Sequence, residues 1–395
     1  MSELQDSIVI VGAARTAIGG LQGALSSVSA AQLGGVAIKE ALERATLSGQ
    51  DIDEVVMGCV LAAGQGQAPA RQAALAAGLH LDANCTTINK MCGSGMKSVM
   101  FCHDQIKAGS ANIMVAGGME NMSQAPYLLP KARAGMRMGH GQVLDSMFLD
   151  GLENAYDGKL MGVFAQQSAD DFNISREAMD AFAIESLTRA KLAIESQKFA
   201  SEIVPVSVKG RHGDTTVDQD EQPFNAKIEK IAQLKPAFKK DGSVTAANSS
   251  SISDGAAALI LMRESEAIVK GLPILARIVG HSSHAQEPAE FTIAPVSAIK
   301  KLLDKVSWHS QDVDLYEINE AFAVVTMIAM QELNLDHNKV NINGGACALG
   351  HPIGCSGARI LVSLIYALKA QNKTKGVASL CIGGGEATAV AIELV

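Results

Sequence analysis

Two distant stretches of the chain repeat one pattern, and this repeat restricts the possible folds more than any other feature. Residues 113–120 form an apolar run that leads into two glycines and a glutamate, and residues 377–386 form an apolar run that leads into three glycines and a glutamate. The glycine-rich stretches at 92–95 and 354–357 also resemble each other. Internal similarity of this kind predicts two structurally related units.

Apolar runs and helix-like segments alternate along the first third of the chain. The apolar runs at 8–11, 53–58 and 113–116 predict buried strands, and the segments at 30–46 and 94–108 have helical spacing. Alternation of this kind is typical of a sheet packed between helices. We therefore predict an α/β protein that contains a duplicated α/β unit.

The region between the two similar parts has a different composition. It carries more charge and longer polar stretches, for example at 209–214, which predicts an insertion or a long excursion over the surface. Within it, 175–196 has the spacing of a helix, with Ser175 as its N-cap. The predicted divisions are an N-terminal half at 1–120 that is completed by about 249–271, an inserted loop domain at 121–248, and a C-terminal half at 272–395.

The charge balance argues against some classes of partner. Asp and Glu total 41 against 33 Lys and Arg, which gives a net charge of −8, and aromatic residues make up 4% of the chain. Nucleic-acid binding relies on basic surfaces and stacking aromatics, so we expect no nucleic-acid partner. No apolar run reaches about 18 residues, and residues 1–7 lack the basic and apolar regions of a signal peptide. We therefore expect no membrane segment and a cytoplasmic protein.

Cysteine spacing gives little support to a metal or dithiol-redox site. The chain has seven cysteines, and no two stand in a C-x-x-C arrangement. We expect no bound metal.

Cys92 differs from the other cysteines in its setting, because it lies in a glycine-rich turn before a helical segment. Backbone N–H groups at a helix N-terminus favour a thiolate, so Cys92 is a candidate nucleophile, with a small buried cysteine at a turn as the alternative.

Two further segments carry residues suited to acid–base chemistry. His351 lies in a glycine-rich stretch just before Pro352, which would hold the imidazole on a constrained loop as a general base requires. A structural hydrogen-bonding role is the alternative. Cys381 lies at a strand end before the glycines at 383–385, whose backbone N–H groups could face an oxyanion. A glycine turn at a sheet edge is the alternative.

Asn319 is the fourth candidate, since it follows an apolar strand-like run. An asparagine in this position can hold a water molecule or donate to a carbonyl. The other interpretation is a helix N-cap, with Glu320 in the first turn of the helix. Both roles are compatible with each other.

Together, these four segments resemble the catalytic motifs of the thiolases, the acyl-CoA C-acyltransferases that make or cleave 3-ketoacyl-CoA. The resemblance runs from residues 11–16 to the C-terminal glycine run and includes 247–250 and 254–257, so it covers essentially the full length. It implies a duplicated five-layer α-β-α-β-α architecture with an inserted loop domain. It also implies that no cofactor is needed, because CoA and acyl-CoA are substrates.

The resemblance implies a role for each catalytic candidate. Cys92 attacks the acyl-CoA thioester and becomes acylated, while His351 takes the thiol proton. Cys381 then removes a proton from the methyl carbon of acetyl-CoA, and the enolate attacks the acyl group in a Claisen condensation. One oxyanion site would combine His351 with a water held by Asn319, and the other would combine the backbone N–H groups of Cys92 and Gly383.

The resemblance also assigns residues to the CoA groove and to assembly. Ser250 matches the serine that binds the pantetheine, and residues 122–145 match the tetramerisation loop, so a homotetramer is implied. The other CoA or acyl-pocket positions are Phe238, Ala246, Ala321, Phe322, Met161, Leu160 and Phe291. Ordinary packing is the alternative for these seven positions.

The sequence departs from the family pattern at positions that bear on acyl chain length. Leu160 stands where short-chain biosynthetic thiolases usually carry His, Lys230 replaces a Ser that can touch CoA, and Glu386 stands where Gln or Met is more usual. We expect an acetyl-CoA C-acetyltransferase that condenses two acetyl-CoA into acetoacetyl-CoA and CoA. The alternative is a 3-ketoacyl-CoA thiolase of fatty-acid β-oxidation that acts on longer chains, and Leu160 mildly favours it.

Other classes fit less well. The ketoacyl synthases use paired histidines, or His and Asn, in place of a second cysteine, so Cys381 speaks against them. A non-catalytic acyl-CoA binder would retain CoA binding without turnover, which the four intact catalytic candidates disfavour. A hydratase/dehydrogenase partner subunit is left open by the sequence.

Overall fold

The computed structural model describes residues 6–211 and 213–395. Residues 1–5, which contributed to the expectation of no signal peptide, lie outside this range. The strands are β1 (Ile8–Thr16), β2 (Gly19–Gly20), β3 (Glu54–Gly58), β4 (Asn84–Ile88), β5 (Ile113–Asn121), β6 (Tyr127–Leu128), β7 (Leu144–Asp145), β8 (Ile203–Val204), β9 (Val206–Val208), β10 (Thr215–Val217), β11 (Ser253–Arg263), β12 (Ala276–Ala285), β13 (Leu315–Ile318), β14 (Lys375–Ile382) and β15 (Glu386–Glu393). The helices are α1 (Ala30–Arg44), α2 (Pro69–Ala76), α3 (Ser94–Ala108), α4 (Met161–Asp171), α5 (Arg176–Glu195), α6 (Gln222–Asn225), α7 (Glu264–Lys270), α8 (Ala294–Val306), α9 (Ala323–Leu333), α10 (Ala346–Leu349) and α11 (Ser356–Ala370).

The strand order confirms the predicted duplication. In the first half, β3 and β5 are parallel, β11 is antiparallel to β5, and β1 is antiparallel to β11. In the second half, β13 and β14 are parallel, β15 is antiparallel to β14, and β12 is antiparallel to β15. The two strands of the sequence repeat, β5 and β14, therefore occupy equivalent places in the two halves.

Helices and sheets alternate in five layers. The helices α3 and α11 lie between the two sheets, because Val99 and Leu361 share one hydrophobic cluster with Leu259 of β11 and Leu380 of β14. A second cluster joins α1 and α2 to the outer face of the first sheet, and a third joins α8 and α9 to the outer face of the second. Strands β1, β5, β11, β14 and β15 are buried on both faces, as strands covered by helices require.

The two sheets are continuous at one edge. Strands β1 and β12 pair through Val9 with Arg277 and Ile10 with Ala276, so the order runs β13-β14-β15-β12-β1-β11-β5-β3-β4. The same helix layer therefore packs against both halves. This arrangement brings the loops that precede α3 and α11 close together.

The region at 121–248 contributes only short strands to the fold, together with α4, α5 and α6. Helix α5 confirms the prediction for 175–196, and the Ser175 side chain accepts a hydrogen bond from the Ala178 N–H as an N-cap. The predicted division at 120/121 and 248/249 stays a prediction. Across 6–211 and 213–395, none of the helices combines the length and the apolar character needed to cross a membrane.

Candidate active site

Cys92 lies in the tight turn between β4 and α3, and its neighbours explain the glycines there. A Cβ atom on Gly95 would lie 2.7 Å from the Ala358 backbone nitrogen, and a Cβ on Gly93 would overlap the Ile382 side chain. Only glycine lets the N-terminus of α3 approach the second half this closely. The turn therefore places the Cys92 thiol against residues of the C-terminal half.

The structure corrects one expectation for Cys92. Burial raises the pKa of its thiol to about 11, against the opposing effect of hydrogen bonds from the backbone N–H groups of Gly383 and of Cys92 itself. The helix N-terminus therefore stabilises the Cys92 thiolate by less free energy than is lost when that thiolate is removed from water. At neutral pH Cys92 is a thiol, and its reaction requires a base.

His351 supplies a nitrogen in the correct protonation state. Its Nδ1 lies 2.6 Å from the Ser356 hydroxyl, and that hydroxyl donates to the Pro352 carbonyl oxygen at 3.0 Å. Since a serine has one hydroxyl hydrogen, Nδ1 of His351 is the donor in the first hydrogen bond. The Nε2 atom therefore carries the lone pair. It is buried, and no described residue is its hydrogen-bond partner.

The imidazole is also held neutral. Burial, with a smaller effect of the Arg359 guanidinium, lowers the pKa of His351 to about 3. Between about pH 3 and pH 11, Cys92 is a thiol and His351 is neutral, so the Nε2 lone pair is available to a proton. Both residues line one cavity, as the thiol–imidazole couple of nucleophilic catalysis requires.

Cys381 and Asn319 are both buried. Cys381 is near the end of β14, and burial raises the pKa of its thiol well above the ordinary value, with a further rise from a charge on Cys92. Both amide atoms of Asn319 are buried, and neither has a hydrogen-bond partner among the described residues. The N-cap interpretation of Asn319 is wrong, because α9 begins at Ala323 and its N-cap is Phe322.

One cavity of about 430 Å³ brings together most of the predicted residues, but Cys381 and Asn319 are not in its wall. Its wall includes Cys92, His351 and Gly383. All eight of the predicted substrate positions also line it: Ser250, Phe238, Ala246, Ala321, Phe322, Met161, Leu160 and Phe291. The Ser250 hydroxyl donates to the Ala321 carbonyl oxygen at 2.9 Å. Most of this wall is apolar, as is usual for a small-molecule site with few polar groups.

Sequence reasoning missed several residues that build the site. Ser356 fixes the His351 tautomer, and the Glu120 carboxylate accepts from the N–H groups of Val60, Leu61 and Gly354 at 2.9–3.1 Å. Glu120 thereby ties the loop that carries His351 to the first half. The position of Glu120 after the paired glycines of the repeat was a visible signal, whereas its partners lie 59 to 234 positions away in the sequence.

Family comparison agrees with this geometry. The family described as thiolase, N-terminal domain, matches residues 8–265, and that described as thiolase, C-terminal domain, matches residues 272–394.

The chain belongs to the thiolase family.

Relatives resemble this thiolase over its full length. An acetyl-CoA acetyltransferase of Escherichia coli K12 is 51% identical over 387 residues, which cover 98% of each chain. An acetyl-CoA acetyltransferase of Pseudomonas aeruginosa is 48% identical over 391 residues, which cover 98% of this thiolase and 99% of the relative. The crystal structure of the Bacillus anthracis acetyl-CoA acetyltransferase covers 100% of both chains at 44% identity, with a TM-score of 0.97.

Proposed function

We propose that this thiolase is an acetyl-CoA C-acetyltransferase, which condenses two acetyl-CoA into acetoacetyl-CoA and CoA through an acyl-Cys92 intermediate. The observation that carries the proposal is the free Nε2 of a neutral His351 in the same cavity as the Cys92 thiol. Relatives at 46–51% identity over nearly the whole chain bear the name acetyl-CoA acetyltransferase, which supports the same reaction. No cofactor takes part in it.

In the first step, the Cys92 sulfur forms a bond to the thioester carbon, and the bond from that carbon to the CoA sulfur breaks. His351 Nε2 accepts the thiol proton, and the Cys381 thiol protonates the departing CoA sulfur, so that Cys381 becomes a thiolate. The pKa values give the starting protonation states, with Cys92 near 11 as a thiol and His351 near 3 as a neutral imidazole at physiological pH.

In the second step, Cys381 removes a proton from the methyl carbon of a second acetyl-CoA. The resulting enolate forms the carbon–carbon bond, and the bond from the acyl carbon to the Cys92 sulfur breaks. Cys381 keeps the proton that it removed, and His351 returns its proton to the Cys92 sulfur, so the enzyme returns to its starting state. The raised pKa of Cys381 suits this role, because its thiolate is a strong base.

Both steps place negative charge on a thioester oxygen. The backbone N–H groups of Cys92 and Gly383, which already donate toward the Cys92 sulfur, form one oxyanion site in this proposal. His351 and a water held by the Asn319 amide form the other. Donors fixed before the reaction stabilise the transition state more than mobile water does.

An adjoining cavity supports CoA as the ligand. It has a volume of about 340 Å³ and shares Ala246, Ser249 and Ser251 with the larger cavity. Lys227 and Lys230 lie in its wall, where two ammonium groups can attract the phosphates of CoA. Lys230, which replaces the usual serine, therefore contributes to CoA binding through its positive charge and not through a hydroxyl group.

Chain length is tested by CoA-dependent thiolysis of 3-ketoacyl-CoA esters from four to about sixteen carbons, with Cys92→Ala as the blank. We expect the rate to peak at acetoacetyl-CoA and to collapse with longer chains. A rate that holds or rises with length would favour the longer-chain thiolase, for which the apolar Leu160, Leu152 and Ile353 in the cavity wall are the supporting observation. Binding of CoA with no turnover would overturn the enzyme proposal.

We also propose a homotetramer. The segment around β6 and β7 exposes large apolar side chains at Tyr127, Met138 and Val143, and contiguous exposed apolar groups mark protein interfaces. Light scattering on the purified protein should give the mass of four chains, and Met138→Glu should lower it. A monomeric mass for the unmodified chain would contradict this assembly.

A further inference from the structure

Three side chains with metal-ligand chemistry meet away from the catalytic cavity. His103 and Asp104 lie on α3 of the first half, and His281 lies on β12 of the second. The rings of the two histidines are 5.0 Å apart and nearly perpendicular. Asp104 and His281 are 177 positions apart in the chain, which explains why cysteine and histidine spacing predicted no ligand cluster.

The three donor atoms converge on one point. Asp104 Oδ1 lies 2.9 Å from His103 Nδ1 and 2.9 Å from His281 Nε2, and the two nitrogens are 3.2 Å apart. In a tetrahedral zinc site with bonds of about 2.0–2.1 Å, ligand atoms are about 3.3–3.4 Å apart. Movements of a few tenths of an ångström would therefore convert this triangle into one face of a zinc tetrahedron.

The environment suits a metal with one open position. The side chains of His103 and His281 are only 10% and 11% exposed, whereas that of Asp104 is 57% exposed. Metal binding uses the neutral form of each imidazole. The exposed side at Asp104 leaves room for a water ligand.

We propose that His103, Asp104 and His281 form a Zn²⁺ site that joins the two halves of the fold. The Asp104 carboxylate can accept a hydrogen bond from each imidazole, and one cation bound to all three donor atoms would replace both hydrogen bonds. Two imidazoles and a carboxylate, with a water in the fourth position, are a ligand set that zinc accepts. None of the three residues lines the cavity that contains Cys92, so the role is structural.

The site is tested by titration of the intact, chelator-treated protein with Co²⁺ and Zn²⁺. We expect one equivalent of Co²⁺ per chain with the intense visible absorption of tetrahedral cobalt, and its displacement by Zn²⁺. Zinc should also raise the thermal unfolding midpoint by roughly 2 °C or more. Thiolysis activity should be the same before and after chelation.

Variants separate this site from the catalytic thiols. Asp104→Asn changes a largely exposed side chain and should abolish the bound equivalent, as should His281→Gln, with unchanged circular dichroism. His284→Gln, a histidine on the same strand but outside the cluster, should bind like the unmodified chain. Absence of stoichiometric binding would overturn the proposal. So would equal binding by Asp104→Asn, or a near-ultraviolet thiolate-to-cobalt band, which would assign the metal to cysteines.

Discussion

At the residue scale, the chemistry depends on which groups the fold keeps neutral. Cys92 is partly buried, His351 is buried, and both are uncharged near pH 7. The sequence motifs located both residues, but burial decides their protonation states, and burial is a property of the packed structure. The helix N-terminus argument placed Cys92 in the turn before α3, where the structure has it, but predicted the wrong charge. The role of Cys92 as the nucleophile stays a prediction.

Burial of neutral His351 should make stability depend on pH. Its pKa is about 3 in the folded chain and about 6.5 when unfolded. Between these values the unfolded state binds the extra proton, so stability falls as pH falls below 6.5, by up to about 1.4 kcal/mol per pH unit. Urea unfolding at several pH values measures this dependence of the unfolding free energy on pH. His351→Asn should lack the part that comes from His351, whereas His140→Asn, at an exposed position, should retain it. Equal slopes in all three proteins would contradict the shift.

The Ser356 hydroxyl should matter for rate more than for binding. Ser356→Ala removes the group that accepts from His351 Nδ1, so Nε2 is no longer held as the free nitrogen. We expect kcat to fall by at least about tenfold with KM nearly unchanged. Ser282→Ala, which removes a hydroxyl bonded to the Ala298 carbonyl away from the cavity, should keep normal kinetics. A loss confined to KM would refute the role of Ser356.

At the element scale, the sequence predicted helices and strands well wherever local signals were strong. The helix predicted at 94–108 begins and ends at those residues, because Gly93 and Gly109 flank it. The N-cap at Asn319 failed because β13 is followed by a four-residue connection before α9, and its backbone is bound to neighbouring strands instead. The Asn319 N–H donates to the Ser379 carbonyl oxygen.

An ion pair links the nucleophile turn to the turn after Cys381. Lys90 lies two residues before Cys92, and its ammonium group pairs with the Glu386 carboxylate at the start of β15. Both side chains are partly exposed, so the pair contributes up to about 1 kcal/mol. Glu386→Gln should therefore lower kcat by up to about fivefold. The double variant Lys90→Glu/Glu386→Lys should recover most of that loss, and a swap no better than the single variants would contradict the pairing.

At the scale of the whole molecule, charges buried between distant segments hold the insertion onto the duplicated core. Arg15 of β1 donates to Glu202 at 2.6 Å and to both oxygens of Asp220 at 2.7 and 2.9 Å. All three side chains are almost completely buried. The repeat in the sequence predicted the two halves, but it could not predict these pairs or the His103–His281 contact, because their partners have no fixed spacing along the chain.

Removal of the Arg15 charge should be costly. Arg15→Met leaves Glu202 and Asp220 as buried carboxylates without their cation, and we expect a loss of about 3–5 kcal/mol in the free energy of unfolding. Arg277→Met breaks a partly exposed pair with Glu264 and should cost no more than about 1 kcal/mol. Denaturant titration of both variants measures the difference between the two losses. Similar losses would show that burial of the Arg15 cluster does not increase the effect of removing its cation on the free energy of unfolding.

The contact between α3 and α11 has a consequence for ancestry. A Cβ on Gly95 would meet the Ala358 nitrogen, and a Cβ on Gly357 would meet the Met96 nitrogen. The first turns of the two helices therefore contact each other through the equivalent glycine of the repeated motif. A two-fold dimer of a single half would make this self-complementary contact. One gene copying and fusion event is then enough to let the two loops diverge. One loop came to carry a thiol and the other an imidazole, and neither half alone contains a complete active site.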